Sequence, residues 1–270
     1  MEKPVIAKHV FKVFKKESLS PHYIRVTLEG EGAQDVAKCD LGANNKIMIP
    51  PAGMKQVKLA VWDNEKNEWA LPAEHERPII RTYTHRAIDA ANNHIVIDFV
   101  NHGDNGPASA WARNAQIGDE LGVAMKIRPT VHYPSVDWYL LVGDATALPV
   151  LTVILESLPS TAKGHMILEV PSTEDIPHDL RHPGFTFEWI VNARPEGGST
   201  ISDCVKEVVI PHGMSHFAYV ACEYSTVRQL RQYFKDGLGW TNKDFYAFSY
   251  WKSGVAEDKS AEERRLEKQE

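Results

Sequence analysis

In the first half of this 270-residue chain, short apolar stretches alternate with polar residues and break at Gly, Pro, Asn and Asp. Segments 10–14, 23–28, 46–49, 57–61, 79–86, 94–100 and 121–124 are rich in β-branched and aromatic residues, which predicts strands. The stretch from Asp89 to Asn93 supplies a hairpin-like turn. One helix interrupts the series over 107–115, with Pro107 in the first turn, where its missing N–H costs nothing. Strands this short and this closely spaced predict an antiparallel β-barrel or sandwich. After Pro134 the pattern changes. Buried strands at 138–142, 165–170, 185–191, 217–222 and 245–250 alternate with helical stretches at 148–158, 201–208 and 225–236. That alternation predicts parallel βαβ units, so the fold class is a β-barrel followed by an α/β domain. The division falls near 129–136, giving domains 1–132 and 133–254. Residues 255–270 are almost wholly charged or small and read as a solvated tail.

Composition narrows the function classes. A net charge of −6 argues against a nucleic-acid binder. No apolar run approaches membrane-spanning length, and the N-terminal residues carry no signal-peptide core, so the expectation is a cytoplasmic protein without membrane insertion. Cys39, Cys204 and Cys222 are far apart and form no metal-ligand or redox pair, so no metal is expected. His178 and His182 have helical metal-ligand spacing, but Pro177 and Pro183 leave no room for a helix around them.

Four segments carry candidate chemistry. Arg81-Thr82-Tyr83-Thr84-His85-Arg86 ends an apolar run, and residues two apart on a strand share a face. Arg81 and Tyr83 therefore point the same way, with the Thr84 hydroxyl one step on. A guanidinium fork, a ring to stack on and a small donor suit a flat redox-active ring with a diphosphate tail. The second segment, Asp98-Phe99-Val100-Asn101-His102-Gly103-Asp104-Asn105-Gly106-Pro107-Ala108, follows a strand and opens a helix whose first turn contains Ser109 and, next to it, Trp111. Glycines permit close backbone approach, and the helix start offers amides with partial positive charge, an arrangement suited to a pyrophosphate. The third, Gly143-Asp144-Ala145-Thr146-Ala147-Leu148-Pro149, lies where a parallel strand ends and a helix begins, the usual place for a ligand in an open α/β sheet. With one glycine before the helix it is no dinucleotide fingerprint; a tight nicotinamide-dinucleotide site is not expected there, while loose nicotinamide docking stays open. The fourth is Tyr250-Trp251-Lys252-Ser253-Gly254 at the last strand end.

These segments resemble the siderophore-interacting protein family, built on the ferredoxin-reductase plan. The Arg-x-Tyr-Thr-x-Arg hexapeptide, His102–Ala108 followed by Trp111-Ala112, and Tyr250-Trp251-Lys252-x-Gly254 match its motifs. The stretch 143–149 differs from the family's usual Gly-Asp-Glu-Thr-Ala-Leu-Pro by Ala145 in place of the acid. The resemblance spans about residues 5–254. It implies FAD as cofactor, held by Arg81, Thr82, Tyr83, Thr84, Asp98, Phe99, Val100, His102, Gly106, Pro107, Ala108, Ser109, Asp144, Thr146, Ala147 and Trp251, with Thr84 near the flavin's reactive edge. It implies reduction of ferric siderophores, with electrons from NAD(P)H or reduced ferredoxin. Many such iron complexes are anionic, which nominates Lys46, Lys126, Arg128 and Lys252 as substrate-binding cations. Two rivals stand beside this reading: a general flavin-linked reductase with a protein or free-flavin acceptor, and a non-catalytic FAD- or siderophore-binding module.

Overall fold

The chain divides into two units, Met1–Thr130 and Val131–Glu270, close to the 132/133 boundary expected from the pattern. The structure, a computed structural model, describes residues 5–104 and 106–257; the expected tail beyond 257 lies outside the described residues.

Unit 1 is one curled antiparallel sheet. Its strands are β1 (Ile6–Ser20), β2 (Tyr23–Glu29), β3 (Asn44–Ile49), β6 (Ile79–Thr84), β7 (Ala87–Asp89), β8 (His94–Val100) and β9 (Glu120–Lys126), ordered β6-β3-β9-β1-β2-β8-β7. A separate hairpin, β4 (Val61–Asp63) and β5 (Glu68–Ala70), pairs only with itself. Two short helices, α1 (Ala33–Val36) and α2 (Pro107–Asn114), complete the unit. Alternation sorts the two faces: Phe11, Val13, Ile47, Ile49, Leu121, Val123 and Met125 turn inward to one core. Lys8, Lys46 and Lys126 occupy the intervening positions and face outward. Gly122 lies on that outer face, where a Cβ would come within 2.9 Å of Met48 and 3.2 Å of Leu59, so the absence of a side chain lets those two pack over it.

The two edge strands, β6 and β7, are consecutive in the chain, and only His85 and Arg86 separate them. His85 is still bonded to the β3 side, its N–H donating to Ala43 O at 2.9 Å and its carbonyl accepting from Gly42 N at 2.8 Å. Arg86 N–H donates instead to Val96 O of β8 at 3.1 Å. The expected continuous strand over 79–86 is therefore broken at this point, because the chain changes partners from one sheet edge to the other. That exchange draws the sheet toward a barrel.

Two further expectations are corrected. The first strand runs for 15 residues rather than five, with a bulge between Val13 and Lys15. A bulge bends and twists its strand, and here it carries β1 into a polar ribbon with β2 that apolar patterning does not reveal. The segment 57–60 forms no strand. Val57 is buried and its N–H donates to Glu120 Oε2 at 2.9 Å, so its apolar character serves as a plug.

Unit 2 is a five-stranded parallel sheet of β10 (Trp138–Gly143), β11 (Lys163–Val170), β12 (Phe185–Val191), β13 (His216–Glu223) and β14 (Phe245–Trp251), ordered β12-β11-β10-β13-β14. Helices α3 (Leu148–Ser157), α4 (Ile201–Glu207) and α5 (Tyr224–Gln232) connect the strands. Every residue of β10 is buried, as expected for a central parallel strand covered on both faces. His178 and His182 fall in irregular chain between β11 and β12. Among the described residues no helix is long and apolar enough to cross a membrane.

His85 gives the closure a measurable signature. Its ring is fully buried, neither ring nitrogen has a hydrogen-bond partner among the described residues, and burial lowers its pKa to about 4. Between about 6.5 and 4 the unfolded chain takes up a proton that the folded protein refuses, so this group's contribution falls away as the pH drops through that window. Replacing His85→Val should flatten the stability loss between pH 7 and 5 by about 2 kcal/mol, measured by urea denaturation at several pH values. An unchanged pH slope contradicts the assignment.

Candidate functional site

In unit 1 the register of β6 fixes which signature residues share a face. Ile79 and Tyr83 pack against the core, which places Arg81 on that side as well. Thr82 and Thr84 point to the other side, and Thr84 is buried. The Arg81 guanidinium donates from Nη1 to Ile80 O at 2.7 Å. Tyr83 lies 4.6 Å from Phe99, and Phe99 lies 5.6 Å from Trp111, ring centroid to ring centroid. This aromatic run ties β6 to β8 and to α2. Phe99 itself is fully buried, so its side chain belongs to the core. Its half-buried neighbour Val100 ends the strand.

Asp98 occupies a special position. Its carboxylate accepts two bonds from Arg25, Nε to Oδ1 and Nη2 to Oδ2, both at 2.7 Å, while Arg86 Nε lies 3.9 Å away. Arg25 stands directly opposite Asp98 on β2. The second arginine of the hexapeptide is thus turned toward a carboxylate of its own barrel. Arg25 escaped sequence reasoning because only the strand register reveals the pair.

The loop after β8 is built to hold the start of α2. Ser109 Oγ accepts from His102 N at 3.0 Å and donates to Gly103 O at 2.6 Å, so this buried hydroxyl braces the loop. Gly103 adopts φ +83°, which favours glycine, and its N–H donates to Asn101 Oδ1 at 3.3 Å. Gly106 is the extended N-cap of α2 and offers no side chain to close the helix end; Pro107 follows, then buried Ala108. A Cβ on Gly106 would come within 2.7 Å of the His102 ring. A side chain there would push the exposed imidazole away from the helix start.

Of the nominated cations, Lys46 is exposed and its ammonium donates to Thr82 Oγ1, while Lys126 and Arg128 are exposed at the end of β9 and just beyond. Lys252 belongs to unit 2, where its ammonium lies 4.6 Å from the Tyr224 ring centroid.

Unit 2 brings together three nominated residues at the carboxyl end of β10. The Asp144 carboxylate accepts from Thr146 N at 2.9 Å, Thr146 Oγ1 at 2.6 Å and Trp251 Nε1 at 2.7 Å. Burial raises its pKa, an effect partly offset by these donors. Ala147 is fully buried beneath them, where a Cβ on Gly143 would come within 2.6 Å of its methyl. On the next strand Glu169 is also buried and raised, accepting from Ser199 Oγ at 2.7 Å and Asn192 Nδ2 at 3.1 Å. The turn that could seat a dinucleotide pyrophosphate is thus occupied by an internal carboxylate, with a second on the adjacent strand.

The donor set of unit 1 fits FAD: an arginine and a tyrosine on one face of an edge strand, the tyrosine joined through tilted ring contacts to a helix whose N-cap is glycine. Together with the parallel unit that follows, this defines a flavin-linked oxidoreductase of ferredoxin-reductase-like architecture. The profile of the siderophore-interacting FAD-binding domain matches residues 12–127, and that of the siderophore-interacting protein matches 136–254. The chain belongs to the siderophore-interacting protein family. It is 32% identical over 254 residues to the ferric vibriobactin reductase ViuB of Vibrio cholerae serotype O1, covering 93% of this chain and 92% of that one. The crystal structure of the siderophore-interacting protein SipS from Aeromonas hydrophila superimposes with a TM-score of 0.81 at 30% identity, covering 97% and 98% of the two chains. A ferredoxin-NADP+ reductase from Plasmodium falciparum shares the fold, with a TM-score of 0.62 at 10% identity over 90% of this chain and 96% of that one.

Removing the Asp98 carboxylate leaves two arginines without their shared partner. Asp98→Ala should cost about 3 kcal/mol in urea denaturation. A loss below about 1 kcal/mol, the range of surface pairs, would show that the clamp is dispensable.

Proposed function

We propose that this protein reduces ferric siderophores and so releases their iron in the ferrous state, with electrons from NAD(P)H or a ferredoxin-like donor, in the cytoplasm. The observation that carries the reading is the adjacency of Lys46 to Thr82: an exposed surface cation bonded into the flavin signature of a chain whose net charge is −6. Bound FAD supplies the chemistry that couples a two-electron donor to one-electron acceptors. In the proposed arrangement Arg81 holds the diphosphate, the Tyr83 ring and the backbone of 98–100 line the flavin, and Thr84, at the end of the strand, lies near its reactive edge. In unit 1, Lys46, Lys126 and Arg128 attract the anionic iron complex.

The substrate chemistry follows from ligand hardness. Ferric iron is gripped by oxygen donors that hold ferrous iron far less tightly. For each two-electron donor oxidised, two ferric complexes accept one electron each. Outer-sphere transfer of this kind requires no acid, base or nucleophile from the protein. It requires that the complex be held close and that water-exposed cations balance its charge.

The acid-filled turn at Asp144 bears on the donor. An anionic pyrophosphate laid on that turn would face a buried carboxyl and its neighbour Glu169. This favours a donor that does not use the turn as a phosphate seat, such as a small redox protein.

Turnover is tested by mixing the FAD-loaded protein, a reduced donor, a ferric siderophore and a ferrous trap; sustained donor oxidation with stoichiometric trapping supports reduction, and binding without turnover refutes it. Replacing Lys46, Lys126 and Arg128 together by Ala should weaken binding of an anionic ferric complex at least about tenfold at low ionic strength, less as salt rises, with bound FAD unchanged. Loss of the flavin would instead make these cations structural.

A further inference from the structure

On the inner face of unit 1 two buried polar side chains meet where β6 ends. Asn45 lies between Ala43 and Ile47, both part of the core, so strand alternation aims its amide inward. Tyr83 of β6 stands directly opposite it. Two residues further on, the His85 N–H still donates to Ala43 O at 2.9 Å, which returns its side chain to the face of Tyr83. Asn45 and His85 are therefore diagonal neighbours across the pair. Such positions have Cα atoms about 7–8 Å apart and Cβ atoms somewhat closer.

Asn45 is 1% exposed and His85 is fully buried. Among the described residues, neither Asn45 Oδ1 nor Nδ2, and neither His85 Nδ1 nor Nε2, has a hydrogen-bond partner. Four orphaned atoms at adjoining positions need an explanation, because buried polar groups in folded proteins are almost always bonded, to protein or to ordered water. The chemistry of the four atoms selects the partner. The amide offers two N–H donors and a carbonyl. The imidazole, kept neutral by burial that lowers its pKa to about 4, offers one N–H and one bare nitrogen. An uncharged set that mixes donors with acceptors suits neither an anion nor a cation. Water gives and takes hydrogen bonds equally, and one or two molecules span the gap that diagonal neighbours leave. Ala43, at the His85 corner, contributes only a methyl group, which leaves room there.

We propose that Asn45 and His85 bind ordered internal water on the core side of the signature strand, beside Tyr83. Backbone pairing between β3 and β6 ends at Asn44 and Thr84. The water carries cross-strand bonding past that point, where the chain is about to change sheet edges.

A high-resolution crystal structure of the FAD-loaded protein should show water within hydrogen-bond distance of the Asn45 amide and, directly or through a second water, of a His85 ring nitrogen. No density between them, a direct Asn45–His85 bond, or a bond from either side chain to the flavin would overturn the proposal. Urea denaturation at pH 7 provides a second test. Asn45→Val and His85→Val each remove one anchor and should each lower the midpoint. The double variant has no polar group left to satisfy, so it should lose less than the sum of the two. Asn45→Thr has the shape of Asn45→Val with a hydroxyl for the water, and should lose less than Asn45→Val. Additive losses in the double variant, or equal losses for Thr and Val, would overturn the bridge.

Discussion

The Asp98 carboxylate, shared between Arg25 and Arg86, is the interaction on which the rest of unit 1 depends. The curled sheet has two edges, and the chain passes from one to the other within two residues. Arg86 is the residue that arrives at the second edge, where its backbone joins β8 and its guanidinium approaches Asp98. Arg25 then links that carboxylate to β2. The crossing fixes the end of β6, where the Tyr83 ring meets Phe99, which in turn meets Trp111 of α2. Fold closure and the placement of the signature strand are therefore one problem, solved by one buried acid between two cations.

Charge is distributed with a purpose in each unit. The outer face of unit 1 concentrates Lys8, Lys46 and Lys126 on a chain that is acidic as a whole. In unit 2 the carboxyl ends of two adjacent strands carry buried acids, Asp144 and Glu169, both with raised pKa values. Desolvation makes those acids costly to ionise, and the hydrogen bonds around Asp144 use it as an internal cap for the turn into α3. A fold often used to seat a phosphate has been closed from within, while the outer face of the other unit displays lysines.

Much of the architecture was legible in the residues. Unbroken apolar runs such as 138–142 and 217–222 announce parallel strands, and Pro107 after Gly106 announces a helix start. The aromatic and arginine positions of the hexapeptide could be assigned to one face from strand periodicity alone. What stayed hidden depends on register, which is set by long-range pairing. Nothing local in Tyr23-Ile24-Arg25 points to Asp98, and nothing in Lys8 points to Lys46 across Ala124. The segment at Val57 misled because a buried valine reads the same whether it fills a strand or plugs a loop. The length of β1 was missed because a bulge shifts the alternation, and the residues beyond it are polar. Phe99 and Ser109 carry motif positions, yet the ring is core and the hydroxyl braces the loop, distinctions that a motif cannot express.

The central claim is that unit 1 is organised to hold FAD. A titration of the purified protein with FAD, followed by visible absorption after removal of unbound flavin, tests it most directly. The account predicts saturation at one flavin per chain, with absorption bands perturbed from those of flavin in water. A protein that stays colourless after incubation with excess FAD would contradict it.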